Sequence, residues 1–343
     1  MNRFPISPIR PRRVAVIGAG VSGLSCAWAL SRHHDVVLYE SGCRLGGHAN
    51  TVDVAIDGRK AAVDTGFIVY NEATYPNLTA LFDHIGVSAA PTEMSFSVSL
   101  DGGAYEYSGK NLAGLLAQPA NAFRFRFWSM IADLLRFYRQ APRDLARVGD
   151  ISLDAYLKRG RYGRAFIRDH LYPMAAAIWS TPAAEVGAYP AASFIRFCDN
   201  HGLLKLAGRP IWRTVRGGSR DYVRKLAHSI GEIRLGCPVT RVVRRPDGVE
   251  VRDLSGAVDR FDQAVIAAHA DTALAMIEAP TAAERDILGA FRYAGNCAWL
   301  HSDAAFMPRR RRAWASWNYL AESRTQSALA ATYWLNRLQP LGL

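Results

Sequence analysis

A short apolar run, Val14-Ala-Val-Ile17, breaks at Gly18-x-Gly20-x-x-Gly23 and passes directly into a helical pattern. A second apolar run, Val36-Val-Leu-Tyr39, then ends in an acid, Glu40. Each part has a physical task in a strand–turn–helix–strand unit that takes a dinucleotide. Gly18 permits the tight turn after the strand. Gly20 lets backbone approach a pyrophosphate with no side chain between, and Gly23 lets the helix pack against the sheet. Ala19, Val21 and Ser22 complete a turn whose N–H groups, with the positive end of the helix dipole, face the phosphates. Glu40 lies about 20 residues beyond the glycines, where an acid accepts the hydroxyls of an adenosine ribose and disfavours a 2′-phosphate.

Glu40-Ser41-x-x-Arg44-x-Gly46-Gly47 follows the acid and distinguishes FAD from NAD. It resembles the extended fingerprint of the glutathione-reductase-type FAD proteins, specifically the flavin amine oxidase and phytoene desaturase superfamily. The glycines let backbone pass close to diphosphate and flavin, and Arg44 supplies positive charge. Ala62-Val-Asp-Thr-Gly66-Phe-Ile-Val-Tyr-Asn71 and Thr74-Tyr-Pro-Asn-Leu78 resemble one bacterial subgroup more narrowly. So do Met307-Pro-Arg-Arg-Arg-Arg312-Ala-Trp314-Ala-Ser-Trp317 and Thr332-Tyr-Trp-Leu-Asn336. The genes of that subgroup commonly lie near cyclopropane-fatty-acid-synthase-like genes, and some members are assigned to desaturating acyl chains. The resemblance implies a glutathione-reductase-type FAD-binding Rossmann fold of the α/β class, with an interleaved α+β substrate domain. It places Ser41, His48, Thr65 and Gly66 beside the cofactor, Asp64 near the flavin ring, and a backbone contact to adenine at Val239. Tyr70, Asn71 and Tyr75 are pocket candidates. Family members continue through a glycine-rich segment that closes over the flavin, whereas these residues stop at Leu343. A fragment or a natural truncation, holding FAD weakly by itself, is expected.

The expected division is 1–85 with 205–275 as the FAD-binding domain, and 86–204 with 276–343 as the substrate domain. Within these, Ile56-Asp57-Gly58 predicts a hairpin turn between strands at 51–56 and 60–64. Periodicity predicts helices over 75–85, 121–140, 153–158, 163–179, 191–202 and 220–230. Strands are predicted at 94–107 around an Asp101-Gly102-Gly103 turn, then at 212–215, 233–235, 240–244, 249–252 and 263–267.

The chain carries a net charge of +12, almost wholly from arginine, since lysine occurs only at 60, 110, 158, 205 and 225. Such an excess attracts FAD phosphates, anionic lipid or nucleic acid. No nucleic-acid motif accompanies it, so nucleic acid is not expected as a partner. Five cysteines without a C-x-x-C pair argue against a zinc site or disulfide framework and fit a reducing cytoplasm. No metal is expected, and no secretory or spanning segment is legible.

Flavin chemistry needs no nucleophile–base constellation, and none is present, so no catalytic side chain is assigned. The leading expectation is an FAD-dependent dehydrogenase or desaturase acting on an apolar, acyl-lipid-type substrate. Oxidation of a small amine and a non-catalytic flavoprotein remnant remain open. Phe123-Arg-Phe-Arg-Phe-Trp128, in one expected helix, and Arg309–Arg312 with Trp314 and Trp317 both mix bases with interfacial aromatics. They raise the expectation of peripheral contact with an anionic membrane, at the inner face of the membrane.

Overall fold

The structure is a computed structural model that describes residues 10–322 and 331–342. The chain divides into two compact units. One comprises residues up to Ile68, Leu81–Ser88 and Val215–Ala298; the other comprises Val69–Ala80, Ala89–Thr214 and Trp299 onward.

In the first unit, Arg13–Ile17 and Asp35–Tyr39 are β-branched runs with four of five residues buried. Strands buried on both faces read this way in parallel sheets. They form the centre of a four-stranded parallel sheet in the order Glu232–Arg234, Asp35–Tyr39, Arg13–Ile17, Gln263–Ile266. The helix Val21–Leu30 links the two central strands. A three-stranded antiparallel sheet, Val239–Arg245, Gly248–Asp253 and Val258–Phe261, supplies Val242, Val251 and Phe261 to a core with Ala15, Ile17, Val37 and Tyr39. Val258–Phe261 is too short and polar to be read from periodicity. The hairpin Thr51–Ile56 and Arg59–Asp64 turns through Asp57 and Gly58, both with positive φ, as its sequence requires. Where the sequence placed a boundary after residue 275, this unit continues to Ala298. Met276 belongs to its core, and the helices Ala270–Met276 and Ala282–Gly289 pack on each other.

The second unit joins a helical cluster to a mixed sheet ordered Ala331–Tyr333, Trp317–Leu320, Phe96–Leu100, Tyr105–Ser108. Phe96–Leu100 and Trp317–Leu320 run parallel, a pairing that no local pattern announces. The helix expected over 121–140 is shifted four residues on, to Phe125–Asp144. A 3-10 turn, Pro119–Phe123, precedes it, and the buried Asn121 amide ties that turn to the Glu106 carbonyl at 2.9 Å. Phe127, Met130, Phe137 and Ala141 form the buried face of the helix.

The segment expected as one helix over 163–179 contains a π-turn at Ile167–Leu171. Pro173 has no N–H to give the Asp169 carbonyl. The Tyr107 hydroxyl donates to that carbonyl instead, at 2.8 Å. The Asp169 side chain is fully buried and paired with Arg126. Since Tyr107 spends its proton on Asp169, its oxygen accepts from His170 Nδ1 at 2.9 Å. His170 Nε2 therefore carries a lone pair, buried and without a partner. Burial, with a smaller push from Arg209, holds the pKa of His170 down to about 4.

Two stability measurements follow from this core. Phe137 packs against Tyr156, Tyr162 and Phe166. Phe137→Ala should cost about 3–5 kcal/mol in denaturant titration, while exposed Phe125→Ala on the same helix should stay within about 0.5 kcal/mol. His170 stays neutral in the fold while the unfolded chain takes up a proton below the ordinary value of 6.5. Its contribution is complete above that pH and is lost as pH falls toward 4, on the order of 3 kcal/mol. Melting curves of wild type and His170→Phe should therefore converge in slope above neutrality, with the wild type falling more steeply in acid.

Candidate functional site

The glycine turn sits at the carboxyl ends of the two central parallel strands. Gly18 has φ +101°, and a Cβ there would lie 2.5 Å from the Ala267 carbonyl oxygen. Its N–H donates to the Tyr39 carbonyl at 2.8 Å. A Cβ on Gly23 would lie 1.8 Å from the Gly18 oxygen. Both glycines are thus required by the protein's own backbone. Gly20 differs: its backbone angles are ordinary, φ −67° and ψ 176°, and a Cβ there would meet nothing within 4 Å. Open space lies in front of it, at the start of the helix Val21–Leu30, which no side chain caps. Val21 and Ser22 in that first turn are exposed.

Gly46 and Gly47 join this turn from the other side. The Gly46 N–H donates to the Ala19 carbonyl at 2.8 Å, and Gly20 and Gly46 form an isolated parallel bridge. A Cβ on Gly47 would stand 3.1 Å from the Gly20 Cα. Arg44 is exposed, and its guanidinium donates to the Gly47 carbonyl at 2.8 Å. Among the described residues it has no carboxylate partner.

Glu40 is half-buried and already occupied in part. Its Oε2 accepts the Ala19 N–H at 2.7 Å and its Oε1 accepts the Gly42 N–H at 2.8 Å, with the Ser41 hydroxyl at 3.3 Å. The carboxylate therefore fastens the glycine turn to the end of the second strand, a role the sequence reading did not give it. A carboxylate oxygen has further lone-pair capacity, so acceptance of ribose hydroxyls stays open to it. The Cys237 N–H donates to the Glu40 carbonyl at 2.9 Å and the Gly236 N–H to Gly42 at 2.8 Å. This brings the segment leading into Val239 beside Glu40. Val239 itself is half-buried at the start of its strand. Burial and the neighbouring Asp253 push the Cys237 thiol up, away from a reactive thiolate.

His48, Thr65 and Gly66 lie together at the base of the hairpin. A Cβ on Gly66 would stand 2.1 Å from the His48 carbonyl oxygen, and the Asn50 amide donates to Thr65 Oγ1 at 2.8 Å. The exposed His48 ring stacks on His269 at 6.2 Å, and His269 stacks on Tyr293 at 4.2 Å. Asp64, expected near the flavin ring, is an internal anchor, only 1% exposed. It accepts from the Ser219 N–H at 2.8 Å, the Ser219 hydroxyl at 2.7 Å and the Thr51 hydroxyl at 2.6 Å. It thereby caps the helix Arg220–Ala227 from a distance. The sequence reading missed Ser219, although Gly217-Gly218-Ser219 ahead of a helix is an N-cap signal. In the second unit, Asn71 is buried and its side-chain oxygen accepts the Thr74 N–H at 2.8 Å, while Tyr75 packs edge-on against His201. Among the described residues no group of three metal-ligating side chains occurs.

The comparisons with known proteins give the class. The chain belongs to the flavin-containing amine oxidoreductase family, whose pattern it matches over residues 21–333. It is 26% identical over 255 residues to a putative flavin-containing monoamine oxidase, AofH, of Mycobacterium tuberculosis, covering 72% of this chain and 54% of that protein. It is 24% identical over 305 residues to a coproporphyrinogen III oxidase of Mycobacterium bovis, covering 82% and 65%. Wild-type putrescine oxidase bound to putrescine shares the fold, with TM-score 0.59 and 17% identity over 82% of this chain and 63% of that one. A CLA-producing fatty acid isomerase from P. acnes does so with TM-score 0.57 and 15% identity, over 83% and 64%. The chain thus spans between half and two thirds of the length of these proteins. The cofactor is FAD, and the open face at Gly20 fits it.

The contrast between Gly20 and Gly23 is testable. Gly20→Ala should leave the melting temperature nearly unchanged, because the new methyl meets no protein atom, yet weaken flavin retention about tenfold or more if the diphosphate lies against this turn. Gly23→Ala should destabilise the apo-protein by at least about 1–3 kcal/mol through overpacking against Gly18. Equal flavin affinity of wild type and Gly20→Ala, by fluorescence titration, would overturn this assignment.

Proposed function

We propose that this chain carries out FAD-dependent oxidation of an apolar, acyl-type substrate. Gly18 to Gly23 with Gly46 and Gly47 hold the diphosphate, Glu40 and Ser41 the adenosine ribose, and Val239 backbone the adenine. Arg44 adds positive charge, and His48, Thr65 and Gly66 border the flavin half. Bound there, FAD supplies a hydride-accepting ring. The chain's own task is to orient an unreactive C–H and exclude water.

The observation that carries the substrate class is the state of the buried acids. Recognition of an ammonium substrate calls for an acid or an aromatic cage left available for it. Among the described residues, each buried acid is already engaged: Asp64 by Ser219 and Thr51, Asp169 by Arg126, and Glu106 by Arg310 and Ser99. An apolar substrate needs no such group. The likeness of fold to a fatty acid isomerase supports the same reading. Amine oxidation is the second reading, favoured by the monoamine oxidase and putrescine oxidase among the similar proteins.

Anaerobic flavin bleaching distinguishes the two. Incubation with an unsaturated phospholipid or free fatty acid is expected to bleach the bound flavin, and putrescine or benzylamine to leave it oxidised. Bleaching by the amine alone would reverse the assignment.

A further inference from the structure

The helix Phe125–Asp144 and the turn before it send aromatic rings in opposite directions. Phe127 is fully buried, whereas Phe123 and Phe125 are 91% and 87% exposed and Trp128 is 49% exposed. Trp128 is held in place by its indole N–H, which donates to the Ala122 carbonyl at 2.8 Å. Arginine alternates with these rings. Arg124 donates to the Ala104 carbonyl at 3.2 Å, and Arg310, from the far end of the sequence, donates to the adjacent Gly103 carbonyl at 2.8 Å. The Arg309 side chain also lies along this turn, where a Cβ on Gly103 would meet its Cδ at 2.6 Å. Two stretches remote in sequence therefore converge on one turn, residues 101–104.

The charge there is largely unspent. Glu106 neutralises Arg310 and Asp169 neutralises Arg126. Arg309, Arg311 and Arg312 are exposed and have no carboxylate partner among the described residues. Arg311 lies over the Trp314 ring at 5.5 Å. A depression of about 330 Å³ beside the turn is lined by Asp101, Ala104, Tyr105, Arg124 and Arg126.

We propose that this face docks the second unit onto an anionic lipid bilayer, with Phe123, Phe125 and Trp128 in the headgroup boundary and the arginines on lipid phosphates. Exposed rings forfeit burial in water and regain it at the acyl boundary, while the guanidinium fork matches phosphate. Among the described residues no helix is long and apolar enough to cross a membrane. The proposal rests on exposure and charge within one unit and not on flavin chemistry. It therefore stands or falls separately from the substrate reading.

Vesicle flotation tests it. The protein should float with vesicles of phosphatidylcholine and phosphatidylglycerol at low salt, but not with phosphatidylcholine alone, and high salt should release it. Arg309→Gln, Arg311→Gln and Arg312→Gln should each weaken retention about fivefold. Phe123→Ser with Phe125→Ser should weaken it at least about tenfold. These positions are exposed, so unchanged melting curves will confirm folding, and Leu254→Ser, an exposed apolar residue of the first unit, should bind as wild type. Three results would overturn the proposal: equal retention on both vesicles, retention indifferent to the variants, or a self-associated species that the paired phenylalanine variant dissolves in the absence of lipid.

Discussion

One carboxylate organises the nucleotide end of the first unit. Glu40 reaches back from the end of the second strand to the Ala19 N–H, inside the glycine turn, and holds the Gly42 N–H with its other oxygen. Ala19 in turn accepts from Gly46, and the backbone of Glu40 is bracketed by Arg234 and Cys237. Four chain segments meet on this residue and its immediate neighbours. A charged acceptor on backbone N–H groups makes roughly twice as strong a bond as a neutral one. The shape of the turn is thus held by the protein's own hydrogen bonds.

The glycines around it divide by what fills their missing side-chain space. At Gly18, Gly23, Gly46 and Gly66 the occupant is the protein's own backbone, so folding alone demands glycine. At Gly20 no protein atom takes the space.

Much of this was legible in the sequence because it is local. The glycine turn, the strand ending in Glu40 and the Asp57-Gly58 hairpin depend on residues a few positions apart, where backbone sterics decide. The double duty of Glu40 was not legible, since its partners follow from the turn's path and not from its composition. The anchoring role of Asp64 was not legible for a related reason: its partner Ser219 lies 155 residues away in sequence. The π-turn at Ile167–Leu171 needed both Pro173 and a tyrosine from another strand. The helix pattern over 121–140 could not separate Phe125 from Phe127, because the 3-10 entry Pro119–Phe123 moves the helix start to Phe125.

Glu106 repays a closer look. Fully buried, it gathers the Ser99 hydroxyl, the backbone N–H groups of Arg309 and Arg310, and the Arg310 guanidinium. Four consecutive arginines are consequently not four equivalent residues. At 309, 311 and 312 any long cation preserves the local field, so exchange to lysine is cheap. At 310 one guanidinium nitrogen, Nη1, donates to both the buried Glu106 carboxylate and the Gly103 carbonyl, so losing the cation would leave a buried carboxylate without its ion pair. A homologue that drifts to neutral residues through this run should keep a cation at the second position, and should lose it only in company with Glu106.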